Sequence, residues 1–216
     1  MKFVLCIGAI GTAVVSSASA DVRITEVMSS SNGLGSPTAD WIEVTNYGPS
    51  AVDLTGWRMD DGSFNFAASA ELFGVGLIGA GETVVFLESA AGAGIDAFRG
   101  FWGGLAGVQV GYYSGSGLSF SSGGDGACLF DLGGNILSQV SFGAATNGST
   151  FYFGWDAAGN LDPAYNGLVS SVGTIGSQVT FTSSGDTGSL GTALAVPAPG
   201  AIALLGLAGL ASRRRR

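Results

Sequence analysis

Apolar residues occur along this chain in short runs that are separated by turn-forming residues. The clearest runs are residues 22–27, 41–45, 83–87 and 136–142, and Asn-Gly, Asp-Gly and Gly-Gly pairs stand among them. No window keeps the i, i+3, i+4, i+7 spacing of an amphipathic helix for three turns, and glycine recurs too often for a stable helix interior. The pattern therefore predicts an all-β fold, an antiparallel β-sandwich whose strands are joined by turns.

The run that begins at Trp41 shows which side chains should face the core. Successive side chains on a strand point to opposite faces. We therefore expect Ile42 and Val44 on the core face. Trp41, Glu43 and Thr45 are expected on the opposite face.

Glu43 stands inside this strand, where a carboxylate needs partners. We expect it to accept backbone hydrogen bonds or to pair with Arg58, and not to act as an acid catalyst. Trp57 follows Leu54 and Gly56, and an aromatic side chain in that position is expected to close one end of the sandwich.

The amino-acid composition excludes most enzyme classes. The 216 residues include 38 glycines and no histidine. Without histidine there is no Ser-His-Asp triad, no Cys-His dyad and no imidazole metal site. The glycines lack the Gly-X-Y period of collagen, and 46% apolar residues are too many for a disordered chain. A folded domain rich in loops remains.

Residues 1–20 have the layout of a secretory signal peptide. Lys2 precedes an apolar stretch over residues 3–15, and small residues then lead to Ala18, Ser19 and Ala20. This A-x-A arrangement predicts that signal peptidase cuts after Ala20. Asp21 would then be the first residue of the exported chain.

Residues 193–216 contain three parts in sequence. A proline break, Val196-Pro197-Ala198-Pro199, precedes an uncharged apolar stretch over residues 201–211, and the cluster Arg213-Arg214-Arg215-Arg216 ends the chain. A helix over residues 200–211 would rise roughly 18 Å, against a hydrocarbon core of about 30 Å. We therefore expect a marginal membrane segment. The arginines would hold the carboxyl end in the cytoplasm by the positive-inside rule.

This order of parts resembles the PEP-CTERM protein-sorting signal, with Ala198 in the place of its central Glu. The resemblance implies a tail that is held transiently in the inner membrane and removed near Val196 to Pro199 by an exosortase, a membrane protease. It also implies that the protein passes to the cell surface or the extracellular matrix. The alternative is a permanent C-terminal anchor.

Acidic side chains dominate the rest of the chain. The sequence has 16 Asp and Glu against 8 Lys and Arg, and five of those eight cations lie in the two ends. Nucleic acid and anionic lipid normally bind clustered Lys or Arg, so nucleic acid is not an expected partner.

Cys128 stands alone once the signal peptide with Cys6 is removed. It is expected to pack in the core, because no histidine could activate it.

Four segments resemble the lamin tail domain in order and spacing: residues 24–28, residues 40–46 with 52–57, residues 79–85 and residues 118–143. The resemblance covers most of residues 21–143. It implies an immunoglobulin-like β-sandwich that binds or scaffolds, with no catalysis and no cofactor. Residues 144–192 extend past the usual end of that domain, and we expect them to add edge strands or to cover the sandwich.

Three other chemistries compete for the acidic and aromatic side chains. Calcium-dependent carbohydrate binding would use the loop from Asp156 to Asp162, which lacks the EF-hand pattern. Tyr112 and Tyr113 could stack on a polysaccharide ring, but ordinary strand packing is the favoured interpretation of this pair. A carboxylate glycosidase would need two carboxyls roughly 5 to 10 Å apart. The adjacent pair Asp60-Asp61 is better explained by a turn.

Together these observations predict an exported, non-catalytic module of a bacterial cell surface or extracellular matrix. Its expected partners are signal peptidase, an exosortase-type protease, and an extracellular polysaccharide or surface protein. A calcium-dependent carbohydrate binder and a carboxylate glycosidase are the alternatives.

Overall fold

The computed structural model describes residues 21–32, 40–114, 118–175 and 185–194, and the backbone of residues 178 and 179. Its strands are β1 (Val22–Met28), β2 (Trp41–Asn46), β3 (Val52–Asp53), β4 (Arg58–Asp60), β5 (Ala70–Phe73), β6 (Leu77–Ile78), β7 (Thr83–Glu88), β8 (Gln109–Tyr113), β9 (Asp125–Phe130), β10 (Ile136–Phe142), β11 (Phe151–Trp155), β12 (Leu161–Val169), β13 (Gln178–Val179) and β14 (Thr187–Gly188). One helix, α1 (Ile95–Phe101), and a 3-10 turn (Ala90–Gly92) lie between β7 and β8. The prediction of an all-β fold is confirmed.

Ten of these strands form one sheet that folds back on itself into two layers. Their order is β10-β9-β4-β5-β8-β7-β2-β1-β11-β12. β10 and β1 lie far apart in this order but pack against each other across the interior. The Ile24 amide of β1 donates a hydrogen bond of 3.0 Å to the Ser138 hydroxyl of β10. This is the predicted sandwich.

One strand pair departs from the predicted antiparallel arrangement. β7 and β8 run parallel, whereas every other strand pair among the described residues is antiparallel. Parallel neighbours need a crossover connection, and the 3-10 turn with α1 provides it. The predicted antiparallel sandwich is confirmed, and β7 with β8 is the parallel exception among the described strand pairs.

The main core lies between the two layers. Apolar side chains of both layers meet there: Ile24, Ile42, Val44, Val84, Phe86, Leu54, Trp57, Met59, Leu72, Leu129 and Val140. Full burial of a side chain of this size contributes about 1.5–3 kcal/mol. Ile42 and Val44 face this core, as their spacing predicts.

The opposite face of β1, β2 and β7 is also buried. Trp41 lies there and packs edge-on against Phe98 of α1 and Trp102 just after it, with ring centroids 6.1 and 5.7 Å apart. Leu190, from the end of the described chain, joins the same apolar cluster. All six residues of β2 are consequently buried. The predicted division of this strand into two faces is correct, but both faces are interior.

Helix α1 has two turns and was not predicted. Ile95, Phe98 and Phe101 recur every three residues and give it an apolar stripe toward Trp41. The helix ends where the Gly104 amide donates to the Arg99 carbonyl, with Gly104 in the left-handed region at φ 98°. Helical spacing over three turns was required of a predicted helix, and a helix of seven residues is too short to meet that requirement.

Among the residues that the structure describes, no helix is both long enough and apolar enough to cross a bilayer. The apolar stretch 201–211 lies outside those residues.

Gly111 marks the closest approach of β8 to its neighbours, and Gly111→Ala should destabilise the fold. A Cβ there would contact the Phe73 carbonyl oxygen and would lie 2.7 Å from Cε1 of Phe86. We expect a loss of about 1–3 kcal/mol in the free energy of unfolding, measured by urea titration. Gly100→Ala is the control, because a Cβ at that helical position meets nothing within 4 Å. The control should be neutral or stabilising, and equal effects of the two substitutions would contradict the close packing at β8.

Candidate functional site

Two glutamates lie side by side on the covered outer face of the sandwich. Glu26 of β1 and Glu43 of β2 are register partners, and both side chains are 0% exposed. The register shifts between Ile24 and Glu26, which indicates a bulge. Strict alternation would put Glu26 on the core face with Ile24, and the bulge moves it to the outer face. A local irregularity in β1 thus brings the two carboxyls together.

Residues 185–194, which we call the strap, cover this pair. Glu26 accepts hydrogen bonds from the Ser189 amide and hydroxyl, both at 2.8 Å, and from the Thr150 hydroxyl. Glu43 accepts one from the Gly191 amide at 2.6 Å. Two backbone amides of the strap therefore donate to the two buried carboxyls, and Leu190 between them packs in the apolar cluster around Trp41.

Burial raises the pKa of both carboxyls. The pKa of Glu26 rises to about 7, because loss of hydration outweighs the hydrogen bonds from Thr150 and Ser189. The pKa of Glu43 is raised well above its usual range, first by burial and then by the charge of Glu26. Both carboxyls are therefore harder to ionise in the folded chain than in the unfolded chain.

A chain of hydroxyl groups leads from Glu43 along the outer face. The Thr25 hydroxyl donates to Glu43 at 2.9 Å and lies 3.1 Å from the Thr45 hydroxyl, which lies 3.0 Å from that of Thr83. Thr45 and Thr83 also line a cavity of ≈ 370 Å³ between the sandwich and the strap. Its other lining residues are Tyr47, Gly81, Gly191, Thr192, Ala193 and Leu194. The carboxyl pair and the cavity are therefore parts of one polar network.

A family model described as Lamin Tail Domain matches residues 15–144, which is more than half of the chain. The chain belongs to the lamin tail domain family. The match confirms the family resemblance drawn from residues 21–143. No curated protein matches the chain.

The lamin tail domain match contains the two glutamates but ends before most of their donors. Thr150, Ser189 and Gly191 all follow residue 144. β11 continues the sheet beyond the match by pairing with β1, where Tyr152 is the register partner of Glu26. The site is thus composed of a lamin tail domain and the segment that follows it.

The predicted processing residues lie almost entirely outside the described residues. These are Ala18, Ala20, Val196, Pro197, Ala198, Pro199 and Arg213 to Arg216. Asp21 is described, and its carboxylate pairs with the Arg23 guanidinium at 2.6 Å while its carbonyl accepts from the Tyr47 amide at 2.8 Å. The first residue after the predicted cleavage position is therefore already bound to the sandwich.

The loop proposed for calcium is a hairpin turn between β11 and β12. The Asp156 carboxylate accepts hydrogen bonds from the amides of Asn160 and Ala158 at 2.9 and 2.8 Å, and these bonds lower its pKa. Asp162 accepts from the Ala164 amide in the same way. Across the described ranges, no group of three or more His, Cys, Asp or Glu is placed to hold a metal ion. The hydrogen bonds of Asp156 are those of a turn residue.

Tyr112 and Tyr113 do not form an exposed stacking platform. Tyr113 is 0% exposed, because β8 lies between β7 and β5 and one of its faces points into the core. Tyr112 is half-buried and stacks on Phe73 with ring centroids 5.5 Å apart. The hypothesis of a sugar-stacking pair is wrong for Tyr113.

Asp60 and Asp61 hold a turn, as predicted. The Asp60 carboxylate accepts from the Ser63 hydroxyl and the Asn65 amide, both at 2.6 Å, and Asp61 accepts from the Ser63 amide at 2.9 Å.

Cys128 is buried, and burial raises the pKa of its thiol to about 11. It is therefore a packing residue.

One of the two partners expected for Glu43 is wrong. Arg58 donates to Ser69 at 2.7 Å and lies over the Phe66 ring at 5.7 Å. The other expectation, a backbone hydrogen bond, is confirmed by Gly191. Sequence reasoning did not single out Glu26. The sequence does contain a signal for the pair, because Glu26 and Glu43 each lie inside an apolar run. Only the bulge in β1 places the two carboxyls on the same face of the sheet.

Glu43→Gln should flatten the dependence of stability on pH. Above about pH 4.5 the unfolded chain releases the Glu43 proton and the folded chain keeps it, so the free energy of unfolding falls as the pH rises. This contribution amounts to about 1.4 kcal/mol per pH unit while the two states differ by one proton. Urea titrations from about pH 5 to pH 7 should show that slope reduced in the variant.

Glu26→Gln is the matched comparison and should behave differently. Ser189 and Thr150 both donate hydrogen bonds to the Glu26 carboxylate. In Glu26→Gln the side-chain NH2 group, itself a donor, would face one of these donors. We expect lower stability and faster hydrogen exchange at the Ser189 and Gly191 amides. Two results would contradict the roles assigned to the two glutamates. One is an unchanged slope of unfolding free energy against pH in Glu43→Gln, and the other is unchanged exchange of the Ser189 and Gly191 amides in Glu26→Gln.

Proposed function

We propose that this lamin tail domain protein is an exported, non-catalytic contact module of a bacterial cell surface or extracellular matrix. The observation that carries the proposal is the state of the paired carboxyls. Glu26 and Glu43 would be the natural acid pair of a glycosidase, yet both are fully buried and bonded to their own chain. A substrate cannot reach such a pair without removal of the strap.

The charges of the described residues support a neutral or basic partner. Arg23 pairs with Asp21 and lies over the Trp155 ring at 5.1 Å, and Arg99 donates to the carbonyls of Leu105 and Val108. Arg58 is held by Ser69. These cations are dispersed and occupied, so they form no phosphate-binding cluster. An extracellular polysaccharide or a surface protein with basic patches fits, and nucleic acid does not.

The ends of the fold support export and sorting. β1 begins at Val22, so a cut after Ala20 would remove no part of the sheet. Ser189 and Gly191 both precede Val196, so removal of the tail near Val196 to Pro199 would leave their contacts intact. Processing at both predicted positions is thus compatible with the folded body. A permanent anchor would leave the same body at the membrane.

Secretion by a Gram-negative host that contains an exosortase tests both processing sites. Intact-mass analysis of the exported form should give Asp21 as the first residue and no Arg213 to Arg216. Ala20→Phe should block the first cut, because the A-x-A site requires a small side chain there, whereas Ser19→Phe should be tolerated. An exported chain that keeps its arginines would favour the permanent anchor.

The contact function is tested with matrix polysaccharide from the same kind of host. The exported chain should sediment with the polymer and release no reducing sugar on long incubation. Phosphate-rich nucleic acid is the control ligand and should not be retained, because the acids of the body repel it. Reducing-sugar release above that of a boiled sample would replace this proposal with a hydrolase.

A further inference from the structure

The cavity between the sandwich and the strap has the composition of a small binding site. Its volume of ≈ 370 Å³ lies within the roughly 300–1,000 Å³ of small-molecule pockets. Thr45 and Thr83 belong to its sandwich side, and Thr192 and Leu194 belong to its strap side. The lining contains hydroxyls, an aromatic ring and aliphatic groups, and no charged side chain.

The hydroxyls on the sandwich side are organised and still have bonding capacity. A threonine hydroxyl has one donor and two acceptor positions. The Thr83 hydroxyl lies 3.0 Å from that of Thr45, and the chain continues through Thr25 to the buried carboxyl of Glu43. Since the Thr25 hydroxyl donates to Glu43, the Thr45 hydroxyl donates to Thr25 and the Thr83 hydroxyl donates to Thr45. The chain therefore presents acceptor positions of Thr83 to a ligand hydroxyl in the cavity.

The strap wall is held in place by bonds that do not involve the cavity side chains. The Gly191 amide donates to Glu43 at 2.6 Å, and the Leu194 amide donates to the Tyr152 hydroxyl at 2.8 Å. Both ends of the wall are therefore fixed to the sandwich. A ligand would meet a formed wall and would not have to order one.

The surrounding charges select an uncharged ligand. An anion would meet no cationic side chain and would lie near the acidic pair of Glu26 and Glu43. A divalent cation would find no carboxylate among the lining residues, although carboxylates are its usual protein ligands. Neutral molecules with several hydroxyl groups match both the hydroxyl chain and the ring of Tyr47.

We propose that this cavity is a binding site for a neutral saccharide, held by Thr83 and Thr192 and bounded by Tyr47 and Leu194. The proposal rests on the proposed contact with an extracellular polymer and names the site and the ligand class. The strap contributes half of the site, so a bound saccharide also holds the strap against the sandwich.

The test is titration of the full chain with cellobiose, maltose and diacetylchitobiose, in a detergent without a sugar headgroup. Amide shifts in nitrogen-15 spectra report binding. At least one neutral disaccharide should produce saturable shifts at Gly81 and Thr192, and cellobionate, the anionic counterpart of cellobiose, should bind more weakly. Thr83→Val and Thr192→Val should each weaken binding by about three- to tenfold, the effect of one hydrogen bond.

Thr187→Val is the matched control, because Thr187 lies in the strap but does not line the cavity. It should bind like the unaltered chain. Thr192 is exposed, so Thr192→Val tests the site even where Thr83→Val fails to fold. No saturable shift with any neutral disaccharide, or equal binding by all three variants, would overturn the proposal. If the chain then still sediments with whole polysaccharide, the contact function is supported and the saccharide site in the cavity is contradicted. If the chain does not sediment either, both the contact function and the saccharide site are contradicted.

Discussion

Glu26 and Glu43 occupy neighbouring strands without access to water, and much of the surrounding structure follows from this placement. Two ionised carboxylates in a protein interior lose several kcal/mol of hydration each, and their mutual repulsion adds to that cost. The protein offsets the cost in two ways. The raised pKa of each carboxyl favours its neutral form, and Thr25, Thr150 and the strap supply hydrogen-bond donors. The strap is therefore the part of the chain that makes burial of the pair tolerable.

The second consequence concerns the sheet. A sandwich strand normally has one buried and one solvated face, but β2 is buried on both faces. One face meets the opposite layer, and the other lies under α1 and the strap. The crossover that carries α1 also forces β7 and β8 to run parallel. Coverage of the outer face and the parallel pairing of β7 with β8 thus have the same origin.

The third consequence connects structure to the proposed role. The carboxyl pair holds the strap, and the strap forms one wall of the cavity whose other wall belongs to the sandwich. The last two residues of the strap, 193 and 194, also begin the predicted sorting segment 193–216. Contact with a polymer and attachment to the tail would therefore involve the same ten residues. The amides of Ser189 and Gly191 fix the backbone of the strap to the carboxyl pair, and this places its side chains at the cavity.

The sequence by itself determined the longer strands and the family. The alternation from Trp41 to Asn46 assigned both faces of β2 correctly, since period two follows from strand geometry alone. The turn roles of Asp60 and Asp156 followed from local hydrogen bonds of Asp side chains. Only the tertiary structure decided what covers each face. The bulge before Glu26, the burial of Tyr113 and the docking of Ser189 and Gly191 each depend on contacts between residues distant in the chain, and local periodicity carries no information about such contacts.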